Sequence, residues 1–450
     1  MNPELRRLWW LEMTPHRRIA APGVLLLVFA LFAAGDGAGH WQERLYGPAS
    51  VLAFVFLLVY GAHEAAESVA EEVRERTWDL QRLSALGPGA MTMGKLVGAP
   101  VFAWYLGAIC LAVMAIAAPG VRDAPPLGWL LVTYVASAVM VHGAALALGL
   151  QETRREGEGR SARRVGVLAM LMPLLLAMWA LPFSDLKGDA RSVEWHGRLF
   201  APIVFLALSS IAFAAWAVLG AYRSFCRELQ VRTLPWAWPA FSLFVAFWLS
   251  GFFAGDGAFL RAFTGFGLLV ALGATYFALF FDPTSAMTVR RVSAAAGRGD
   301  LQRAFEELPQ WPTTLVLALA FAIAAPWAWS GFGDAIGGEG LRAISDFVAR
   351  APLAAVFAAA RDAAILVFFA SSPKPRRVAT TTLLYLALLW WVVPGLAAAL
   401  GITGLASLVN PFFGGDGPRA AVIFAVQAAI VAALAAARWR RHYGAGAPKA

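Results

Sequence analysis

Residues 199–222 read LFAPIVFLALSSIAFAAWAVLGAY, a long run without a single charged side chain. A helix needs about 20 mainly apolar residues to cross the hydrocarbon core, and in lipid it satisfies its own backbone hydrogen bonds. This stretch therefore predicts a membrane-spanning helix. The composition of the 450-residue chain agrees, because 60% of its residues are hydrophobic and only 14% are charged. Soluble domains carry roughly 25% charged residues.

The whole chain repeats this pattern in blocks, with a mean hydropathy of +0.64. So many apolar side chains cannot be buried in a water-soluble core of this size, which excludes a cytosolic globular, fibrous or disordered protein. The expected fold is an all-α polytopic membrane protein with about twelve transmembrane helices. The predicted spans are 20–34, 50–66, 99–118, 128–150, 165–182, 199–222, 237–254, 258–281, 312–330, 350–371, 379–401 and 419–437.

The distribution of basic residues predicts the orientation of the chain. Most of the 37 Lys and Arg residues fall in the N-terminal segment and in alternate loops. By the positive-inside rule both termini are then cytoplasmic, and an even number of spans is favoured. The net charge of +9 is explained by these loop anchors, so no nucleic-acid partner is expected. Arg far outnumbers Lys, which is typical of a GC-rich bacterial genome, and the predicted location is the bacterial inner (plasma) membrane.

A weak internal repeat suggests that the chain consists of two degenerate six-helix halves, 1–236 and 237–450. Residues 62–66 (AHEAA) resemble residues 360–364 (ARDAA), and a second short match has nearly the same offset. The stretch Asn2–Arg18 mixes apolar, aromatic and charged residues, which predicts an N-terminal interfacial helix. A simple basic anchor for the first span is the alternative for that stretch.

The loop that follows the second span carries the most informative pattern. Its glutamates recur at helical spacing, and two pairs along it, Glu71 with Arg74 and Glu72 with Arg76, are spaced for ion pairing. An apolar stripe follows, formed by Leu80, Leu83 and Leu86. Either the loop is a solvated amphipathic connector, or the stripe is covered by a protein partner. The glutamates at helical spacing are Glu64, Glu67, Glu71 and Glu75.

These residues resemble the permease subunits of type-two ATP-binding-cassette exporters. The resemblance is carried by residues 75–83 (ERTWDLQRL) after an acidic span, followed by Pro88 and by Gly94-Lys95 at the start of the third span. It implies that the loop 67–97 contains a coupling helix, which docks on a separate ATPase subunit. The implied coupling positions are Glu75, Arg76, Thr77, Asp79, Leu80, Leu83 and Lys95, with Glu71 and Glu72 as neighbours on the same helix.

The chain departs from that family in its length, because family members commonly have six spans. The loop after the tenth span, 371–380, is short and lacks the motif. The second half is therefore expected either to lack a coupling contact, which leaves an asymmetric pseudo-dimer, or to depend on a homodimer or on a second permease.

A nucleotide site in this chain is not expected. Residues 89–95 (GAMTMGK) fit the P-loop spacing, but Leu96 stands where Ser or Thr would bind Mg²⁺. The chain is thus predicted to be no enzyme and to bind no cofactor itself, with ATP bound by the partner subunit. The predicted function is the permease component of an exporter for an unknown substrate.

Ionisable residues inside spans are functional candidates because their burial in lipid is costly. The candidates are His63, Glu64, His142, Arg361 and Asp362. His142 is expected to be a hydrogen-bonded packing residue, because no second metal-binding side chain stands beside it. Arg361 and Asp362 either form a buried pair that fixes helix packing or line a transport pathway. The alternative function, an ion-driven secondary transporter with two six-span repeats, would need such midplane residues, chiefly Asp362.

Overall fold

A computed structural model of the protein describes residues 2–34, 40–84, 86–155, 192–253, 259–281, 285–328, 350–372, 378–411 and 417–443. Within these ranges nine helices are long and apolar enough to cross a membrane, and two shorter apolar helices accompany them. The chain is therefore an all-α polytopic membrane protein. It forms two compact units. The first comprises Met1–Val193 and Leu199–Thr233, and the second comprises Glu194–Arg198 and Leu234–Ala450.

The helices of the first unit alternate between long spans and short connectors. In chain order they are α1 (Pro3–Glu12), α2 (Pro15–Ala33), α3 (Trp41–Arg74), α4 (Trp78–Arg82), α5 (Pro88–Gly98), α6 (Val101–Ala117), α7 (Leu127–Arg155) and α8 (Pro202–Glu228). A two-stranded hairpin, β1 (Val193–Trp195) and β2 (Arg198–Phe200), precedes α8 in the sequence. Within α3, Phe54–Tyr60 form a π-helical segment.

In its described residues the second unit contains six apolar helices and three short helices between them. Its elements are α9 (Ala237–Ser250), α10 (Phe259–Phe281), α11 (Ala286–Gly297), α12 (Leu301–Glu306), α13 (Trp311–Ala328), α14 (Pro352–Ala370), α15 (Val378–Ala399), α16 (Thr403–Val409) and α17 (Gly417–Tyr443). In this unit α17 packs along α14, and α13 packs along α10.

The packing of the spans is that of a membrane protein, with small residues between helices and large apolar residues outside. Ala354, Ala358 and Ala421 are buried where α14 meets α17, and such small side chains let helices approach closely. By contrast, Leu26 and Leu31 of α2 are 72% and 69% exposed. These outward leucines have a natural environment in lipid, which water does not provide.

The predicted spans agree with the helices wherever the structure describes them. Eleven of the twelve predicted stretches lie on described apolar helices, whereas 165–182 lies outside the described residues. The count of twelve and the relation between two halves stay predictions. The predicted N-terminal helix Asn2–Arg18 is wrong in its extent, because α1 ends at Glu12 and a new helix begins at Pro15. The Oγ1 atom of Thr14 accepts a hydrogen bond from the Arg17 N–H at 3.3 Å and so caps α2.

Candidate functional site

A tight turn separates α3 from the short helix α4. Arg76 adopts the left-handed backbone conformation, with φ at 59°, which is uncommon for a residue other than glycine. The N–H of Thr77 donates to the carbonyl of Glu72 at 2.9 Å, and the Thr77 hydroxyl donates to the same oxygen at 3.3 Å. These bonds close the end of α3, so that α4 begins as a separate element.

Helix α4 has one anchored side and one exposed side. Trp78 is buried and packs against Phe225 of α8, with ring centroids 6.4 Å apart. Leu80 and Leu83 are instead 70% and 85% exposed. The predicted apolar stripe is therefore present in these two leucines but not in Leu86, which packs against the buried cluster that contains Trp78 and Phe225. We call α4 with the exposed Leu80 and Leu83 the α4 surface.

A cluster of four charged side chains lies next to α4, and we call it the Lys95 cluster. It consists of Glu4 and Arg7 on α1, Glu72 on α3 and Lys95 on α5. The Lys95 Nζ atom is 2.5 Å from Oε2 of Glu72 and 3.6 Å from Oε1 of Glu4. Arg7 binds both carboxylates as well. Two cations thus neutralise two carboxylates, and the side chain of Lys95 is completely buried.

The Lys95 cluster is also bonded to α4 itself. The Nε2 atom of Gln81 donates to Oε1 of Glu72 at 2.6 Å. The ammonium of Lys95 lies 5.7 Å from the centroid of the Trp78 ring, a distance at which a cation is attracted to the ring face. These contacts correct the sequence prediction for Glu72, whose partners are Arg7, Gln81 and Lys95 rather than Arg76.

The charges of the cluster shift the titration of Glu4. Burial on its own raises the pKa of this carboxyl, but the hydrogen bond from Arg7 and the positive charge of Lys95 outweigh that effect. The pKa of Glu4 is therefore lower than its ordinary value, and Glu4 is ionised at neutral pH. An ionised carboxylate is what the two cations need as a partner.

Helix α1 contacts α5 so closely that a side chain at Gly94 would collide with α1 and one at Gly98 would be tightly packed. A Cβ atom at Gly94 would lie 2.6 Å from the Cβ of Glu4, and one at Gly98 would lie 3.0 Å from a methyl group of Leu8. Asn2 fixes the start of α1, because its Oδ1 accepts the N–H of Glu4 and its Nδ2 donates to the carbonyl of Ala90. Helix α1 therefore helps to hold the loop 67–97 in place.

The nine predicted coupling residues divide into a surface group and a buried group. Exposed side chains belong to Glu71, Glu75, Arg76, Asp79, Leu80 and Leu83, and Thr77 is half-buried. Glu72 and Lys95 are buried. The helical spacing of the glutamates could not separate these groups, because the partners of Glu72 come from other parts of the chain. Arg7 and Gln81, which sequence reasoning missed, carry no local signal of this contact.

The histidine and glutamate candidates of the first unit are held by neighbouring groups. His63 Nε2 lies 3.6 Å from a carboxylate oxygen of Glu67, and Glu64 is hydrogen-bonded to Tyr60. His142 is fully buried, and its Nε2 lies 2.7 Å from the carbonyl oxygen of Leu57. Leu57 belongs to the π-helical segment, where the regular ladder of helix hydrogen bonds is interrupted. His142 thus has the hydrogen-bonded packing contact predicted for it.

Arg361 and Asp362 form the centre of a second buried cluster, which we call the Arg361 cluster. Asp362 accepts hydrogen bonds from Arg361 Nε at 2.9 Å, from the Tyr276 hydroxyl at 2.8 Å and from Trp390 Nε1 at 2.8 Å. The Nη1 atom of Arg361 donates to the Val409 carbonyl at 3.0 Å and to Gln427 Oε1 at 3.1 Å. These hydrogen bonds connect α14 to α10, α15, α16 and α17.

The second unit has a connector that the sequence prediction overlooked. The helices α11 and α12 lie between the second and third apolar helices of this unit, the same serial position that α4 and α5 occupy in the first unit. On α12, Leu301 is 64% exposed and Phe305 is 54% exposed. The Asp300 carboxylate accepts the N–H of Arg303 and caps the helix. The internal repeat matches residues 300–303 (DLQR) to residues 4–7 (ELRR) of α1, and residues 360–364 to residues 62–66, so it places the counterpart of the coupling loop after the tenth span instead. The signal that could have found α12 is an Asp cap followed by two apolar residues four positions apart.

Comparison of the chain with models of known protein families, with the sequences of characterised proteins and with solved structures found no match.

Proposed function

We propose that the protein is the permease component of an ATP-driven exporter, and that the α4 surface is the place where a separate ATPase subunit docks. The observation that carries this proposal is the pair of exposed leucines on a rigidly mounted short helix. Leu80 and Leu83 present apolar area outside the spans, while Trp78 and the Lys95 cluster hold the helix in place. An exposed apolar patch with a fixed backbone is typical of a protein-binding site.

The contacts of the Lys95 cluster also provide a route by which a displacement of α4 would be transmitted to the membrane-spanning helices. Through the Lys95 cluster, the neighbourhood of α4 is bonded to α1, α3 and α5. In the proposed mechanism, closure of an ATPase dimer on ATP pushes on the loop 67–97, and the helices of the bundle rock to release the substrate outward. A flexible loop would absorb that displacement, whereas a helix tied to three others transmits it.

ATP is proposed to be bound by the partner subunit. The P-loop-like residues Gly94 and Lys95 lie within helix α5, and the ammonium of Lys95 is buried in contact with Glu72. A P-loop needs backbone N–H groups and a lysine that are free to bind phosphate. The arrangement at Lys95 therefore favours a structural role for this residue.

The α12 helix is the proposed second contact with the ATPase. It carries Leu301 and Phe305 at positions four apart, so that both side chains lie on one face of the helix. If both units contact the ATPase dimer, one chain contains both halves of the permease and needs no second permease. The proposed setting is a bacterial plasma membrane with both termini in the cytoplasm, which protection of terminal tags from external protease in intact cells would test.

The experiment is a mild-detergent purification of the tagged full-length chain from its native membrane, followed by an ATPase assay. Leu83→Glu is the test variant. Leu199→Glu is the matched control, because Leu199 is 71% exposed, lies in the hairpin strand β2 and begins a predicted span at the end that is predicted to face the other side of the membrane. We expect an ATPase subunit to co-purify with the wild type and with Leu199→Glu, and to be lost with Leu83→Glu.

Two results would contradict the proposal. Equal retention of the ATPase by both variants would remove the α4 surface from the contact. A chain that purifies alone and shows no ATPase activity would favour the ion-driven secondary transporter, for which a proton-flux assay in proteoliposomes is the next measurement.

A further inference from the structure

The second unit contains an apolar cavity of about 590 Å³ between α11, α13, α14 and α17. This volume lies within the range of about 300–1,000 Å³ that is typical of ligand sites. One side of the cavity is made by small residues of two packed spans, Ala360 and Ala364 of α14 and Ala432 of α17. Small side chains on both helices leave a slot in which a long, thin apolar group fits.

The chemistry of the cavity changes at one end. Trp311 and Trp439 line it, and Arg440, in the last turn of α17, is the one charged residue among the described residues of its lining. Indole rings are enriched where the hydrocarbon of a membrane meets the headgroups. The cavity thus combines an apolar slot, two indoles and a cation, which is the sequence of environments along a phospholipid from its acyl chain to its phosphate.

Arg440 is available to an anionic ligand. Its side chain is exposed, and among the described residues no carboxylate pairs with it, whereas Arg291 of the neighbouring α11 pairs with Glu307 at 3.6 Å. Basic pockets between transmembrane helices are known to bind anionic headgroups. Water would gain little in the slot, because the alanine side chains of α14 and α17 offer it no hydrogen-bond partners.

We propose that this cavity binds one anionic phospholipid, with an acyl chain between α14 and α17 and the phosphate at Arg440. The proposal does not depend on the exporter function. It commits to a lipid because the apolar slot is much larger than a free phosphate needs, and because the protein lies in a membrane.

The test is native mass spectrometry of the delipidated full-length chain, titrated separately with phosphatidylglycerol and phosphatidylcholine that carry the same acyl chains. We expect one phosphatidylglycerol to bind about fivefold more tightly than phosphatidylcholine, which is the contribution of one arginine beside an anionic headgroup. Arg440→Gln should remove this preference. Arg441→Gln is the matched control, because Arg441 is an exposed arginine on the same helix turn that does not line the cavity.

A second pair of variants tests the slot. Ala432→Phe should fill it and remove the binding of both lipids, whereas Ala433→Phe, at an exposed position outside the lining, should bind like the wild type. If Ala432→Phe does not fold, Ala436→Leu narrows the same slot with a smaller side chain.

Four results would overturn the proposal. Two concern the headgroup: equal affinity for the two lipids, and the same loss of preference with Arg441→Gln as with Arg440→Gln. The other two are full lipid binding by both Ala432→Phe and Ala436→Leu, and displacement of the lipid by inorganic phosphate alone. The last result would show a site for a small anion.

Discussion

The Lys95 cluster and the Arg361 cluster both bury charge, but they are built from opposite kinds of sequence. The Lys95 cluster collects four side chains from three helices, and its members Glu4 and Lys95 are far apart in the chain. The Arg361 cluster centres on two adjacent residues, and its other members are the neutral groups of Tyr276, Trp390 and Gln427. One cluster balances two positive charges with two negative ones, whereas the other balances a single pair.

The clusters also differ in their access to water. The side chain of Arg7 is 40% exposed, so that one edge of the Lys95 cluster is hydrated. The side chains of Arg361 and Asp362 are only 4% and 0% exposed. The charge of Arg7 can therefore be rehydrated if it loses its partner, whereas the charges of Arg361 and Asp362 cannot. The comparison suggests that the Lys95 cluster supports the α4 surface, and that the Arg361 cluster stabilises the buried contacts between α14 and its neighbouring helices.

Asp362→Ala is expected to have the largest effect. It leaves the guanidinium of Arg361 buried without its carboxylate, and a guanidinium cannot lose its proton in a protein. Removal of one partner of a buried pair costs about 3–5 kcal/mol. The measurement is the free energy of unfolding in a sodium dodecyl sulfate titration of mixed micelles.

The double variant Arg361→Ala/Asp362→Ala is the control for that prediction. It removes both charges, and we expect it to be more stable than Asp362→Ala alone, because no buried charge is left unpaired. If the double variant were the less stable of the two, Arg361 and Asp362 would not act as a pair.

Lys95→Met is expected to cost somewhat less, about 3 kcal/mol, because Arg7 still binds both carboxylates. Lys95→Met/Glu72→Gln should regain part of the loss in the same titration. Glu71→Gln, at an exposed position of the same helix as Glu72, should change the stability by less than about 0.5 kcal/mol. If Lys95→Met lowered the free energy of unfolding no more than Glu71→Gln does, the Lys95 cluster would not stabilise the first unit.

Gly94→Ala is expected to cost about 1–3 kcal/mol, the usual effect of overpacking a close contact. The added methyl group would collide with Glu4 and push α1 away from α5. Gly89→Ala serves as the control, because the nearest atom to a Cβ there is 4.0 Å away. Equal stability of the two variants would mean that α1 does not rest on α5 in the way described.

Leu83→Glu and Phe305→Glu are expected to have the smallest effect on stability, less than about 0.5 kcal/mol each, because both side chains are exposed. Their effect should appear in binding instead, as a loss of affinity for the ATPase subunit of about tenfold or more for each variant. A loss with Leu83→Glu alone would leave the first unit as the only contact and would restore the two alternatives drawn from the sequence, an asymmetric pseudo-dimer or a second contact supplied by a homodimer or another permease.

The error about the second connector has a physical cause. The short match between residues 62–66 and 360–364 compares the second span of the first unit with α14, which is the fourth apolar helix among the described residues of the second unit. Alanine-rich stretches resemble one another because small residues are favoured at helix contacts in general. The serial order of the helices, which identifies α12, becomes visible only when the units are delimited.

Hydropathy by itself determined the class of protein and the position of its helices, because the cost of placing a side chain in lipid depends on the local chain alone. The exposed leucines of α4 were also predictable from a local pattern, the helical spacing of Leu80 and Leu83. Only the tertiary structure decided which charged residues are buried together. Glu72 and Glu71 are neighbours of the same type, yet Glu72 is buried and Glu71 is exposed. What separates them is contact with Arg7 and Lys95, and no local pattern encodes a contact between helices that meet only when the chain folds.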